Sequence, residues 1–410
     1  MAAARTRPGT AAPWCAAVLV VLTLLALLTG CGGGGSGAAV VPAGPGAPAV
    51  QSVLDRQAAA LLHRDETAFL ADVDPGFRDR QRQVFRNLAQ VPLASWSYRV
   101  TGVGPDGDGG GGGDRALARV QVGYRLTGYD TSAVTSDADL TLVRRGGRWY
   151  VAGDRHDAQQ LWDQGPVRVV RGAHSLVLGT DGPAALRTYA DAADRAVPTV
   201  GRAWGNGWSG RVVVEVPSSL ARMAALLHAA PDTYRGIAAV TTGELGGSSG
   251  APADRVIINP EAFGELSAFG RQVVLTHETT HVATRAATTA TTPLWLSEGF
   301  ADWVGYGGTG RTARQDAPEL SRDVAAGRAP RNLPSDAGFG TTAGGLAQAY
   351  EGAWLACRLI AADWGDAKLT ELYRAAGTGG SLDTHLRAVL GTGLDDFTAR
   401  WRAYVQRELA

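Results

Sequence analysis

Apolar residues recur at helical spacing in "VQSVLDRQAAALLHRD" and again in "RDRQRQVFRNLAQ", so two helices are predicted over Val50–Asp65 and Arg78–Gln90. The period then shortens to two. "SWSYRVTGV", "ALARVQVGYRLTG", "SDADLTLVRR" and "RWYVAGD" read as four strands, the last two joined through "RGGR" as a tight hairpin. "VRVVRGAHSLVLGT" reads as a further hairpin, "AALRTYADAADRAVPTVGRAW" as an amphipathic helix, and "RVVVEVP" as a buried strand. "SSLARMAALLHAA" follows as a helix with Ser218 or Ser219 near its cap, then "GIAAVTT" and "RVIINP" as strands. Beyond Phe263 the pattern is helical throughout. A small helix-and-sheet unit followed by a mixed sheet and a helical lobe predicts an α+β protein.

The first 31 residues do not belong to this fold. Arg5 and Arg7 precede the apolar run "CAAVLVVLTLLALL", which is shorter than the roughly 20 residues a spanning helix needs. "LTGC", ending at Cys31, then leads into "GGGGSG". This resembles the lipobox of bacterial lipoproteins, and the resemblance implies lipidation of Cys31, which would become the mature N-terminus. The expected location is the extracytoplasmic face of the cell membrane, held by acyl chains. Residues 32–48 read as a flexible tether, 49–160 as a first domain and 165–410 as a second.

Composition narrows the picture further. Across 410 residues, 45% are hydrophobic and 19% charged, as in a globular protein. The net charge of +0 provides no field that would favour nucleic acid. Cys15 leaves with the leader and Cys31 takes lipid, so Cys357 has no partner for an intrachain disulfide. It lies in the apolar run "GAWLACRLIAA" and is expected to be a buried structural thiol. The helix-then-sheet order of the first unit, closing on "GGRWYVAGD", resembles the NTF2-like or cystatin-like class. That unit carries no acid/base or metal cluster in its sequence, and a recognition or spacer role is expected. His63, His156, His174 and His228 have no ligand-like spacing and are expected at the surface.

Chemistry concentrates in "VVLTHETTHVATRAATTATTPLWLSEGFADW". His277 and His281, four apart on a predicted helix, lie one above the other and can meet one ion. Glu278 sits about 100° around the helix, near enough to act on a water activated by that ion. Downstream, Glu298 falls on a helix expected to begin near Pro293, with Asp302 on the same face. Two imidazoles and a carboxylate leave the fourth corner of a tetrahedral zinc site open, as catalytic zinc requires. Asp302 can then accept from the outer nitrogen of a ligand histidine and fix its tautomer.

With these residues the sequence resembles the gluzincin metallopeptidases, the thermolysin-like and aminopeptidase-like group, over roughly residues 200–365. The resemblance implies a thermolysin-like fold for the second domain and one zinc per chain, held by His277, His281 and Glu298. It implies Glu278 as general base in the hydrolysis of peptide bonds by metal-activated water, with a peptide or protein as substrate. It also implies an oxyanion-stabilising side chain, for which Tyr350 in "LAQAYEGAW" is the first candidate and Tyr306 and His385 are alternatives. The glycine and third histidine of the metzincin spacing do not follow His281, which excludes that pattern. The G-x-M-E-N element that grips a free amine is also absent, so an endopeptidase is expected, with "RVIINP" as the edge strand that would pair with substrate. The rival expectation is a surface lipoprotein that binds a protein or wall partner on a decayed peptidase scaffold. The glycine-rich loop Thr241–Asp254 is expected to be a lid or a slack surface loop.

Overall fold

The structure, a computed structural model, describes residues 46–106, 114–155, 160–243, 253–340 and 344–410. The leader with Cys31, the tether up to residue 45, residues 107–113 of the glycine run, His156 and most of the loop between Thr241 and Asp254 lie outside the described residues.

Three helices come first: α1 (Ala47–Leu62), α2 (Glu66–Ala71) and α3 (Arg78–Leu88). Asp65 starts α2 by accepting a hydrogen bond from the amide of Ala68. An antiparallel meander follows, β1 (Leu93–Pro105), β2 (Arg115–Leu126), β3 (Val134–Arg145) and β4 (Arg148–Asp154), in that spatial order. Between β3 and β4, Gly146 and Gly147 have φ of 55° and 78°, the left-handed pair that a two-residue hairpin turn demands. Val50, Val53 and Leu54 of α1 pack onto Ala118, Val120, Leu140 and Leu142 of the sheet.

The second sheet holds β5 (Arg168–Arg171), β6 (Ser175–Gly179), β7 (Val212–Val216), β8 (Ala239–Thr242) and β9 (Arg255–Ile258), ordered β5-β6-β7-β9-β8. β6, β7 and β9 run parallel, and the two outer strands run antiparallel to their neighbours. α4 (Pro183–Trp204) makes the crossover from β6 to β7, and α5 (Leu220–Leu226) starts at Ser219, whose hydroxyl accepts from Arg222 N.

Both faces of this sheet are covered. Leu176, Leu178 and Val213 join the core of the first unit, while Val177, Val212, Val214 and Val216 join that of the helical lobe. Strands buried on both sides read as unbroken apolar runs, which is why "VVV" shows no alternation. Glu215 is the exception in its strand. It lies on the Val213 side, with Oε1 4.0 Å from Nε of Arg255.

The sheet order corrects one expectation. β9, formed by "RVII", is paired on both sides, so its backbone groups are already used. The edge strand on that side is β8, which has no second neighbour among the described residues; β5 forms the opposite edge.

The remainder is helical: α6 (Pro260–Glu265), α7 (Ala268–Thr284), α8 (Leu294–Tyr306), α9 (Ala313–Asp316), α10 (Pro318–Ala325), α11 (Leu346–Trp364), α12 (Asp366–Ala376), α13 (Leu382–Leu390) and α14 (Leu394–Leu409). Pro293 is the N-cap of α8 and not its first helical residue. Among the described residues, no helix is long and apolar enough to cross a membrane. Cys357 is fully buried, its sulfur 3.9 Å from the Leu296 carbonyl, as a structural thiol should be.

Candidate metal centre

α7 carries the polar run "THETTH" into the interior, where each polar group needs a partner. The hydroxyls of Thr276, Thr279 and Thr280 donate to carbonyls four residues back, at 2.8, 2.6 and 2.8 Å. These local bonds satisfy the threonines, and the two histidines and Glu278 are left to find partners elsewhere.

α8 supplies the histidines' partners because two glycines let it lie close to its neighbours. A Cβ on Gly299 would stand 2.3 Å from the Ala353 carbonyl oxygen of α11. One on Gly305 would stand 3.2 Å from the Val273 carbonyl of α7. Wedged between them, α8 presents Glu298 and Asp302 to α7.

The result is a convergence of three donor atoms. Nε2 of His277 and Nε2 of His281 are 2.9 Å apart. Oε2 of Glu298 lies 3.3 Å from the first and 3.5 Å from the second. Neither approach has hydrogen-bond geometry, so Oε2 is a buried carboxylate oxygen with no hydrogen-bond partner. Ligands about 2.0–2.2 Å from a tetrahedral zinc sit roughly 3.3 Å from one another; the two Glu298 distances match that spacing, while the imidazole nitrogens lie within hydrogen-bond distance of each other. This is the one such group of potential ligands among the described residues.

Supporting contacts fix the donors. His277 holds Asp302 Oδ1 at 2.8 Å through Nδ1, which directs the lone pair of Nε2 towards His281 and Glu298. Glu278, also buried, accepts from the Thr241 hydroxyl at Oε2 (2.6 Å), while its Oε1 has no partner. Thr241 belongs to the edge strand β8, so strand and helix are tied at the site. Behind Glu298, the Tyr373 hydroxyl lies 2.8 Å from Thr288 and 3.2 Å from both Thr284 and Ser297, linking α12 to α7 and α8.

The electrostatics follow from burial and mutual contact. Burial pushes the Glu298 carboxyl up, but His281 and His277 outweigh it and hold it down at about 2. For His277 burial acts downwards, yet the carboxylates of Asp302 and Glu298 leave it well above the ordinary histidine range. Glu278 is raised, chiefly by burial, although both histidines and Thr241 pull it back. Asp302 is raised by burial as well. Replacing Asp302 by Ala frees the His277 ring, and zinc affinity should fall about 10–100-fold; a competition titration with a chelator measures this.

Of the predicted site residues, His277, Glu278, His281, Glu298 and Asp302 come together. Tyr350 is buried in the first turns of α11, its ring edge-on to Phe339 at 5.1 Å. Tyr306 ends α8 with its ring 5.6 Å from Trp354. His385 contacts the Gly379 carbonyl of its own connection at 2.7 Å. His63, His174 and His228 are exposed. Thr241 belongs to no motif, and its only signal along the chain is a strand ending in two hydroxyl residues.

No family model matches the chain, and no curated protein matches it. Among solved structures, it is similar to a variant of a two-domain M1 zinc metallopeptidase bound to L-arginine, at 14% identity and a TM-score of 0.35. That match covers 76% of this chain and 62% of the other. An M1 zinc metallopeptidase from Deinococcus radiodurans matches at 14% identity and a TM-score of 0.34, over 78% of this chain and 62% of that one. The chain thus spans less than two thirds of the length of these neighbours.

Proposed function

We propose that the protein is a zinc-dependent endopeptidase, tethered to the extracytoplasmic face of the cell membrane through lipid on Cys31. The observation that carries the reading is the meeting of His277 Nε2, His281 Nε2 and Glu298 Oε2 beside a buried Glu278. Zinc, when bound by these three, supplies Lewis acidity that eases ionisation of water and polarises a carbonyl.

The chain's own residues would do the rest. With Oε2 of Glu278 engaged by Thr241, Oε1 is the atom that takes a proton from the attacking water and returns it to the leaving amine. A raised carboxyl suits that task, since a stronger base accepts the proton more readily. Asp302 keeps His277 in the tautomer that leaves Nε2 available. The open edge of β8 would pair with an extended peptide backbone, setting the scissile bond beside Glu278. Tyr350 would donate to the developing oxyanion. The first unit would form one domain, of the NTF2-like class, and the second a thermolysin-like one.

Metal analysis and a digest of unstructured protein test this together. About one zinc per chain and cleavage abolished by a chelator are expected. A protein that binds no zinc would overturn the reading. Zinc without cleavage of any substrate would favour the rival, a surface lipoprotein that binds a partner.

A further inference from the structure

His277 and His281 are four residues apart, and Arg285, four further on, continues the metal-facing stripe by one turn. A cavity of about 500 Å³ opens there, lined by Arg285 and Val282 at the end of α7 and by Thr242 and Asp254 at the ends of β8 and β9. Its opposite wall comes from the first unit: Tyr129, Val134 and neighbouring residues of the β2–β3 connection, with Trp208 closing one side. Thr241, which holds Glu278, directly precedes the lining residue Thr242, and the Arg285 guanidinium reaches the Thr241 carbonyl at 3.5 Å. No residue of the metal centre lines the cavity; it neighbours the centre through Arg285, one turn beyond His281, and through the end of β8.

We infer that this cavity receives a bulky uncharged side chain, aromatic or large aliphatic, of the peptide, and that the first unit sets the selectivity of the site. The inference rests on the peptidase reading and deepens it. The volume suits a drug-sized group. The charges lining it are already matched: Arg255 grips Asp130 with two bonds of 2.9 Å, and Arg285 holds Asp254 at 2.7 Å. A charged side chain would lose its water and find those counter-charges engaged. Tyr129, Trp208, Val134 and Val282 offer contact to an uncharged one.

The wall is anchored as firmly as the site. Asp130, directly after Tyr129, also accepts from the Ala253 amide, so the wall is bonded to the residues just before β9. Val213, Leu176 and Leu178 of the second sheet share one core with Trp96 and Tyr124 of the first. The cavity is thus bounded by two units that share one core and are bonded through Asp130, and selectivity should respond to the wall while the zinc content stays unchanged.

The test measures binding separately from turnover. Full-length protein carrying Glu278→Gln and loaded with zinc is titrated with dye-labelled decapeptides of glycine and serine, one series bearing a phenylalanine and one not. The phenylalanine peptide should bind at least tenfold more tightly. Ala133→Trp, which fills the cavity from the exposed turn of the first unit, should collapse that ratio to near one and leave the phenylalanine-free peptide within twofold. Trp208→Ala should lower the ratio without altering zinc content. An unchanged ratio in both variants, or an equal loss for both peptides, would overturn the inference. If the parent protein cleaves nothing yet the ratio collapses as stated, the cavity assignment stands and the peptidase reading falls. If it cleaves while the ratio stays unchanged, the peptidase reading stands and the cavity assignment falls.

Discussion

Glu278→Gln should leave zinc bound and lower turnover about 10²–10⁴-fold, the range by which a positioned general base accelerates proton transfer. The amide keeps the shape and can still accept the Thr241 hydroxyl, but it has no basic oxygen where Oε1 stands unpartnered. Undiminished cleavage by this variant would refute the assignment. The pH profile gives a second readout. Burial raises the Glu278 carboxyl above the ordinary glutamate value of 4.5, so the unprotonated base is lost as pH falls through that raised value. The acid limb of kcat/KM should follow this carboxyl, which burial raises and the charge of bound zinc would draw back down. Thr241→Val removes a bond that favours the carboxylate, and the limb should move to higher pH.

The candidate metal ligands were legible because helical geometry fixes them within single elements. A spacing of four on α7 brings two imidazoles to one side, and the same spacing on α8 brings Glu298 and Asp302. That the two helices meet was implied only by the family resemblance. The structure gives the physical cause in Gly299, where a side chain would collide with α11, and in Gly305, where one would crowd α7. The choice of edge strand was not legible in the same way, because β9 follows β8 in the chain yet lies inside it in the sheet. The composition of the two strands carries the explanation. "VII" of β9 can be buried on both faces, while β8 ends in two threonines that tolerate an open edge. Thr241–Glu278 and Asp130–Arg255 are 37 and 125 residues apart, and no periodicity links positions so distant. Glu215, the lone charge in "VVVEV", was the available hint that a buried ionic contact awaited that strand.

That contact yields the largest expected effect on stability. Asp130→Ala leaves the Arg255 guanidinium, whose side chain is only 8% exposed, without its two-bonded partner. A guanidinium cannot shed its proton to escape the interior, so the charge persists. Breaking a buried pair in this way costs about 3–5 kcal/mol. Glu215, at 4.0 Å from Nε, can recover part of that, which places the expected loss near the lower end, about 3 kcal/mol. Denaturant unfolding of the variant checks the value, and a loss below about 1 kcal/mol would show the pair to be marginal. Replacing both residues, Asp130→Leu with Arg255→Met, removes the stranded charge, and buried pairs exchanged for apolar groups are often neutral. The double variant should therefore regain more than half of the single variant's loss. It would still lack the Ala253 amide's acceptor, so the residues before β9 should loosen while the two cores remain joined. Zinc content should stay at its parent value in both variants, because His277, His281 and Glu298 are carried by α7 and α8 and pair with one another and with Asp302, not with Asp130 or Arg255.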